Sequence, residues 1–435
     1  MKKMTNPAML LFLLTSGLCA NAQTTKHLSI EEAISLGIQN SNSLKIDQAK
    51  IEQATAGYIE AKNRQLPELK LTGMAAALTN AKVDMKMAQQ GSDPSSFPIP
   101  HSAYLGSANL SYPVYTGGKI SYGIQSATYL QQAAKLQLEN NKSAVSYNIS
   151  QAYNNLYKAS QAIKLLEENL KAAQERDKQF LRLESNGIIP KNDRLKASLQ
   201  TSELELQLLD AKNNYKIASI NMDLLIGLPD STQLEVDDAY VKDNNTLNSL
   251  GYYLDNAKTL RKDLEALSLK RKAAEMGTKS AKAEHLPTVA LTGGYIAADL
   301  PKVISMYNVA NIGVGINYNL DNLWKKNSAL TKAKANEMEL EATNDMLNDQ
   351  ITLEVNRDYQ NVVLANNRIE VLERAVEQAN ENYRITKNKF NNGLATMTEL
   401  LDADAIQIAT NINVTNAKAD AALANKKLKQ TAGLL

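Results

Sequence analysis

One long stretch of the sequence, from Lys325 to Phe390, contains neither glycine nor proline. Within it apolar residues recur at every seventh position and again three residues later, whereas charged residues occupy other positions. The first seam comprises Val355, Val362, Ile369, Val376, Tyr383 and Phe390, and the second comprises Ala365, Leu372 and Ala379. This heptad pattern is typical of a long helix in a coiled coil. At about 1.5 Å per residue such a helix would span about 100 Å, so the segment is predicted to bridge a distance.

The first half of the chain contains a second copy of this pattern. For most seam residues the residue 206 positions earlier is also apolar, as Ile149 is for Val355. The same shift relates Gly393 to Gly187. Seam positions and turn glycines that coincide under one shift indicate an internal duplication. The chain is therefore predicted to consist of two similar halves.

The N-terminal segment has the features of a secretory signal peptide. Two lysines precede an apolar run over residues 8–14, and a small-x-small cleavage sequence ends at Ala22. The apolar run is far shorter than the roughly 20 residues that a membrane-spanning helix needs. Residues 1–22 are therefore predicted to be a signal peptide that is cleaved after Ala22. Acylation of the one cysteine, Cys19, is the alternative, which the bulky Leu18 before it disfavours.

Composition excludes several classes of function. Without the two signal lysines the chain has equal numbers of basic and acidic residues, so no nucleic-acid partner is expected. The three histidines are isolated from one another in the sequence, so no metal site and no cofactor are expected. No nucleophile–base pattern is present, so the chain is not expected to be an enzyme. The 18 Tyr against 4 Phe and 1 Trp suit rings at a water interface.

Both halves are predicted to have the same order of elements: a helical segment, two strands joined by a loop, and a long helical hairpin. The first repeat, residues 23–236, has strands at 67–78 and 104–115, a loop at 79–103 and a hairpin at 119–227. A connector at 237–250 leads to the second repeat, residues 251–435, with strands at 287–297 and 309–320, a loop at 298–308 and a hairpin at 325–433. The offset between the halves is 220 before the loop and 206 after it, so the second loop is the shorter one.

The start of the mature chain carries signals for a short helix. Ser29 is followed three residues later by Glu32, which is the pattern of a capping box. Gly37 is expected to end this helix.

The strand at 309–320 alternates apolar residues with small or polar ones. In a soluble sandwich the apolar face would point to a core, and in a membrane barrel it would point to lipid. Four strands are too few to close a barrel, and no other segment offers a sheet to pack on. The strands are therefore predicted to form a small barrel that several copies share. The alternative is a secreted structural coiled-coil protein, a tether or adhesin, in which the strands form a soluble cap.

The sequence resembles the TolC-like outer-membrane channel proteins of tripartite efflux pumps and type I secretion systems, from Leu28 to Leu434. The resemblance rests on six segments whose order reflects the duplication: LSIEEA at 28–33, the Leu-Pro pairs at 66–67 and 286–287, YPVYTGG at 112–118, and the turns after Gly187 and Gly393.

The resemblance implies a mostly α fold with a small β part. Long antiparallel coiled-coil helices would form a tapering tunnel, and four strands from each chain of a homotrimer would form one transmembrane β-barrel. It implies the outer membrane of a Gram-negative bacterium, with a periplasmic extension and outer-membrane lipid around the barrel. The implied partners are a periplasmic adaptor protein and an inner-membrane transporter of the RND or ABC type.

Site residues follow from the same resemblance. Acids at Asp193, Glu399 and Asp402 correspond to a ring at the narrow periplasmic mouth that interacts with cations. As an alternative, these acids stabilise the helix starts beside which they lie.

The helix tips expected to meet the adaptor are Asn186, Gly187, Ile188, Asn392, Gly393 and Leu394. Basic and Tyr residues latch the closed gate in some relatives, and Phe390 and Ala395 occupy those places here, so closure by the same latch is not expected.

Tyrosines cluster near the predicted strands. They are Tyr104, Tyr112, Tyr115, Tyr295 and Tyr318, and they are predicted to form an aromatic girdle at the membrane interface, ordinary strand packing being the alternative.

Overall fold

The computed structural model describes residues 25–79, 100–241 and 246–435. The predicted signal peptide, Cys19 and most of the predicted loop at 79–103 lie outside the described residues. The elements in chain order are β1 (Thr25–Leu28), α1 (Ile30–Asn40), α2 (Asn42–Asn63), β2 (Glu68–Ala77), β3 (Ser102–Tyr115), α3 (Lys119–Ser185), α4 (Lys191–Ile226), β4 (Gln233–Val236), α5 (Leu250–Leu260), α6 (Lys262–Ala283), β5 (Thr288–Leu300), β6 (Ile304–Asn317), α7 (Ser328–Asn391) and α8 (Met397–Thr431). Short 3-10 helices occupy Asp238–Val241 and Leu320–Leu323. In the described parts of the chain, no helix combines the length and apolar character that a membrane span needs.

The mostly helical fold with a small β part is confirmed. Both predicted long helices, α3 and α7, are continuous. Their heptad seams face other helices, because Val355, Val362 and Ala379 of α7 and Ile149 and Leu156 of α3 are buried. The remaining residues of the predicted α7 seams are partly buried. The seven-residue period therefore identified the packed side of each helix.

The chain divides into two compact units. The first comprises the described residues of Met1–Lys45 together with Asn140–Arg261 and Gln350–Leu435. Its largest core contains apolar residues of β1, α1, α3, α4, β4 and α8, among them Leu28, Ile149, Tyr153, Met222, Ile226, Leu234 and Ala419. Two further apolar clusters lie farther along the long helices, one around Leu166 and Leu204 and one around Phe180 and Met397.

The first unit contains a small sheet that the sequence did not predict. β1 and β4 pair in parallel, with Leu28 opposite Val236. The described chain therefore has six strands rather than four, and β4 lies at the end of the segment assigned to the first repeat. Strands of four residues are too short to show a period-two pattern, and their pairing joins segments about 200 residues apart.

The helix α1 differs from its prediction at both ends. The Ser29 hydroxyl accepts a hydrogen bond from the Glu32 N–H at 3.2 Å, but the Glu32 carboxylate pairs with Lys26 at 2.9 Å, so the box is half formed. Gly37 lies inside the helix, which continues to Asn40. A Cβ at Gly37 would lie 2.2 Å from Ile149 Cδ1. Glycine is present here because of close packing, a requirement that a local sequence pattern cannot distinguish from a helix stop.

The second unit comprises Ile46–Glu139 and Lys262–Asp349. Its sheet has four antiparallel strands in the order β2-β3-β5-β6. The predicted loop at 298–308 was wrong, because β5 continues to Leu300 and β6 begins at Ile304. The Val303 N–H donates to the Leu300 carbonyl at 2.9 Å and closes a tight turn. The predicted strand at 309–320 also ends earlier, at Asn317.

The two hairpins of this sheet repeat the duplication in their register. Leu71 of β2 lies opposite Ala108 of β3, and Leu291 of β5 lies opposite Val314 of β6. These are equivalent positions under the offsets of 220 and 206. The duplication therefore includes the pairing of the strands as well as their sequences.

Candidate functional site

The two helix tips of the first unit have the same backbone structure. After α3 the Ile188 N–H donates to the Leu183 carbonyl at 2.8 Å, and after α7 the Leu394 N–H donates to the Lys389 carbonyl at 2.8 Å. Gly187 and Gly393 have φ values of 69° and 72°, in the left-handed region that favours glycine. This is the Schellman ending of a helix. Glycine is needed for its backbone conformation, because a Cβ at either position would meet open space.

The tip residues predicted from the sequence are exposed. Ile188 is 65% exposed and Leu394 is 76% exposed, and Asn186, Gly187, Asn392 and Gly393 are also exposed. Each tip therefore presents one large apolar side chain to solvent beside a fixed turn.

The two turns are braced differently. At the first tip Arg194 of α4 pairs with Glu184 of α3, with Nε and Oε2 2.5 Å apart. Under the offset of 206 the equivalent positions are Phe390 and Leu400, which belong to one apolar cluster. The Phe390 ring also meets the Phe180 ring edge-on, at 5.7 Å between centroids. Phe390 thus packs within the protein near the tips.

The three predicted acids have different surroundings. Asp193 lies in the first turn of α4, with one carboxylate oxygen 3.6 Å from Lys196 Nζ. Glu399 completes a capping box at the start of α8. Its Oε2 accepts from the Thr396 N–H at 2.6 Å, and its own N–H donates to Thr396 Oγ1 at 3.2 Å. Asp402 is exposed, and within the described part of the chain neither an ion pair nor a hydrogen bond engages its carboxylate.

The capping bonds affect the charge of Glu399. The hydrogen bond from the Thr396 backbone, then that from the Thr396 hydroxyl, and finally the charge of Lys389 hold the pKa of the Glu399 carboxyl below its ordinary value. Glu399 is therefore ionised, and its carboxylate is hydrogen-bonded at the start of its helix. This geometry agrees with the helix-start reading of Glu399, and the gate reading stays a prediction.

Sequence reasoning missed a buried ion pair between α3 and α8. Arg176 of α3 and Asp404 of α8 approach to 2.7 Å, with side chains only 14% and 6% exposed. Tyr383 of α7 lies beside them, and burial raises the pKa of its hydroxyl. Under the offset of 206, Arg176 corresponds to Asn382 and Asp404 to Ser198. The equivalent positions in the other halves therefore carry no charge, and this difference between the repeats is the sequence signal that could have indicated the ion pair.

The five tyrosines of the predicted girdle are all exposed, each between 39% and 50%. Tyr112 and Tyr115 lie at the C-terminal end of β3, whereas Tyr104 lies near its N-terminal end. Tyr295 pairs across the sheet with Ala108 of β3, and its hydroxyl donates to Asn308 at 3.0 Å. Exposed rings toward both ends of the strands are compatible with a girdle, which stays a prediction.

Comparison with known proteins places the chain in a family. A family model described as outer membrane efflux protein matches residues 33–228 and 253–434. No curated protein matches the sequence. Among solved structures, the outer membrane protein VceC of Vibrio cholerae has 20% sequence identity and a TM-score of 0.77, with 93% of this chain and 96% of that chain covered.

Two other solved structures have the same fold. CusC, whose structures describe transmembrane channel formation, has 16% identity and a TM-score of 0.78, over 93% of this chain and 92% of that one. The CmeC outer membrane channel of Campylobacter jejuni has 17% identity and a TM-score of 0.76, over 93% and 85%. The duplicated halves and the matching family model lead to one conclusion: the chain belongs to the outer membrane efflux protein family, the TolC-like channels of the outer membrane.

Proposed function

We propose that the protein is the exit duct of a tripartite efflux pump or a type I secretion system, for passive export of small molecules or proteins. The observation that carries the proposal is the duplicated fold, in which each repeat supplies a strand hairpin and a long helical hairpin with an exposed tip. Exposed apolar rows on the sheet suit contact with lipid, as Leu71 at 75% and Ile312 at 82% exposure illustrate.

The working assembly is a homotrimer. A sheet of four strands in one copy is too small to close, and a barrel in lipid must satisfy every backbone group internally. Three copies would supply the twelve strands that the family resemblance implies. The Sec signal peptide, cleaved after Ala22, would direct the chain out of the cytoplasm, and the helical part would extend into the periplasm.

The exposed tips are the contact for a periplasmic adaptor. Ile188 and Leu394 offer apolar side chains held beside rigid Schellman turns, which suits the end of a partner's helical hairpin. An RND or ABC transporter of the inner membrane would deliver the substrate and supply the energy. The protein itself would need only an open pore and a gate at its periplasmic end.

Asp193, Glu399 and Asp402 form the candidate gate. In a trimer these carboxylates would concentrate negative charge at one constriction, which favours cations and resists passive flow of anions. Their closeness to the tips in the sequence supports this role, as does the ionised state of Glu399.

The test is single-channel conductance of the detergent-purified mature protein in a planar bilayer. We expect cation-selective openings, and a variant carrying Asp193→Asn, Glu399→Gln and Asp402→Asn should lose selectivity or gain conductance. The matched control neutralises three acids that form ion pairs elsewhere on the long helices, Glu167→Gln, Glu370→Gln and Glu373→Gln. Channels indifferent to the gate substitutions would remove the gate assignment. A protein that stays soluble without detergent and conducts nothing would support the coiled-coil tether instead.

A further inference from the structure

The single tryptophan of the chain, Trp324, lies exposed where the sheet of the second unit ends and α7 begins. It directly follows the 3-10 helix Leu320–Leu323, and its side chain is 67% exposed. Tyr318 and Leu320, which come shortly before it, are also exposed. Neighbouring exposed side chains of this size indicate an interaction surface more strongly than isolated ones do.

The duplication does not account for Trp324. Leu320 has an exposed counterpart in the first repeat, Val114, under the offset of 206. Trp324 corresponds to Gly118. Gly117 and Gly118 have φ values of 62° and 87° and lead directly into α3, whereas a 3-10 helix precedes α7. The junction can therefore be built without a tryptophan, and only the second repeat presents one.

Four exposed lysines come after Trp324. They are Lys325, Lys326, Lys332 and Lys334. Residues 322–336 contain no acidic residue, and the equivalent residues of the first repeat, 116–130, contain one lysine. Lys325 pairs with Asp321, but in the part of the chain that the structure describes no ion pair engages the other three. The second junction thus combines an exposed tryptophan with unpaired positive charge.

This cluster lies where the chain would leave the membrane. Ile312 and Ile316 of β6 belong to the apolar row that faces lipid in the proposed function, and the inference rests on the proposed function in this respect alone. A chain that is in lipid at Ile316 and in a periplasmic helix from Ser328 onward crosses the headgroup layer in between. Trp324 and the first lysines lie in that part of the chain.

The chemistry of the cluster matches the headgroups of phospholipids. An indole ring prefers the boundary between lipid and water, because the ring is apolar and its N–H needs a polar partner. Lysines close to a membrane surface attract anionic lipids. At about 1.5 Å per residue Lys332 lies about 9 Å beyond Lys326, so both act within about one Debye length at physiological salt.

We propose that Trp324 and the lysines after it form a binding site for the headgroups of anionic phospholipids. The indole ring lies at the level of the glycerol groups, and the ammonium groups of Lys326 and Lys332 contact lipid phosphates. The first repeat does not carry this site, because Gly118 takes the place of the tryptophan. The site makes the depth of the second junction in the membrane depend on lipid composition.

Fluorescence of the one tryptophan tests the site without a label. The mature protein is reconstituted in liposomes of phosphatidylcholine with increasing amounts of phosphatidylglycerol. Quenching is measured with acrylamide in the water and with lipids brominated either near the headgroup or deep in the acyl chain. We expect the shallow bromine atoms to quench more strongly than the deep ones. Phosphatidylglycerol should shift the emission to shorter wavelength and reduce quenching by acrylamide, and Trp324→Phe gives the background signal.

Two double variants separate the site from general contact with the membrane. Lys326→Gln with Lys332→Gln should raise the fraction of phosphatidylglycerol needed for half of the shift about threefold, because two charges at the membrane surface are lost. Lys270→Gln with Lys272→Gln makes the same change of charge at two exposed lysines of α6. These lie well before the sheet resumes at Thr288, so the response should stay unchanged.

Each result decides a different point. Quenching by shallow bromine, with a phosphatidylglycerol response that only Lys326→Gln with Lys332→Gln weakens, supports the site. Quenching by acrylamide alone places Trp324 in water, and protection from both quenchers places it against protein; either result overturns the inference. A response that both double variants weaken equally, or that neither weakens, overturns the role of the lysines.

Conductance of the same liposomes distinguishes the failure of this inference from the failure of the proposed function. Liposomes that conduct although Trp324 stays in water overturn the lipid site and leave the channel standing. Protein that neither conducts nor meets lipid contradicts the proposed function as well as the site.

Discussion

At the scale of single residues, the ion pairs of the first unit differ greatly in burial. Arg176 and Asp404 are almost fully buried, whereas Lys212 and Glu167 are about half exposed on the same helical body. Removing one partner of a buried pair leaves an uncompensated charge in a medium of low dielectric constant. The exposed pair has water as an alternative partner, so its net contribution is small.

The buried pair gives the first prediction. Asp404→Ala should lower the free energy of unfolding by about 3–5 kcal/mol, because the Arg176 guanidinium stays buried without its carboxylate. The matched change Glu167→Ala should cost less than about 1 kcal/mol. Denaturant unfolding of the purified protein, with the variants measured side by side, checks both values. Equal effects of the two substitutions would contradict the assignment of the buried charge.

Asp223 gives a prediction about pH. Its side chain is fully buried in α4, and neither carboxylate oxygen has a hydrogen-bond partner in the described chain. Burial first, and the charge of Asp230 second, raise the pKa of this carboxyl from 3.8 to about 6. Because the folded state favours the protonated form, the stability from this group is fully present below about pH 4 and is lost as the pH rises through about 6.

Asp223→Asn should therefore stabilise the fold at pH 7 and remove this decline. Thermal unfolding of both proteins from pH 4 to pH 8 measures the effect. Asp230→Asn is the control, since it removes the neighbouring charge but leaves Asp223 buried, and should diminish the decline without abolishing it. A wild-type protein whose stability rises between pH 4 and pH 6 while that of Asp223→Asn does not would show that the sign is wrong.

At the scale of elements, Tyr153 fastens the small parallel sheet to α3. Its hydroxyl donates to the Leu28 carbonyl at 2.8 Å and accepts from the Asp237 N–H at 3.0 Å. Burial raises the pKa of this hydroxyl to about 12, so it stays protonated across the physiological range. One side chain thus satisfies a backbone group of β1 and another just after β4.

Tyr153→Phe should destabilise the first unit by about 1–3 kcal/mol, because a buried carbonyl loses its donor. Tyr157→Phe is the matched control one helical turn along, since its ring also packs on Tyr240, at 5.5 Å between centroids, and it should change stability little. Hydrogen exchange of the β1 and β4 amides should become faster in Tyr153→Phe alone. Equal exchange in both variants would mean that the hydroxyl does not hold the strands.

At the scale of the whole molecule, the candidate gate acids should not contribute equally to ion selectivity. Lys196 lies 3.6 Å from Asp193, so that carboxylate is partly neutralised within its own helix. Asp402 has no such neighbour among the described residues. An unpaired charge projects a stronger field into a pore than a paired one.

Asp402→Asn should therefore shift the reversal potential in a salt gradient more than Asp193→Asn does. Lys196→Gln is the complementary variant, and it should increase cation selectivity by releasing the Asp193 charge. Bilayer recordings at about 0.1 M salt are appropriate, because higher ionic strength screens these charges. A larger effect from Asp193→Asn would contradict the ranking of the two acids.

The sequence by itself determined the parts of this protein that depend on local pattern. Heptad spacing identified α3 and α7, the Asn-Gly pairs at 186–187 and 392–393 identified the turns that follow them, and the offset of 206 related the halves. Period-two alternation located β2, β3, β5 and β6, although the turn at 301–303 was predicted too long because Pro301 and nearby polar residues mimic a loop. Apart from the offset, which compares the two halves, each of these signals lies within a few residues of the feature that it predicts.

Only the tertiary structure decided which distant groups meet. It paired β1 with β4 and buried Arg176 against Asp404. Burial and ion pairing depend on the relative placement of helices that are far apart in the sequence, and a periodic pattern records only which face of a helix is apolar. The partners of the candidate acids are different in this respect, because Lys196 and Thr396 lie only three residues from Asp193 and Glu399, within the reach of a local sequence pattern.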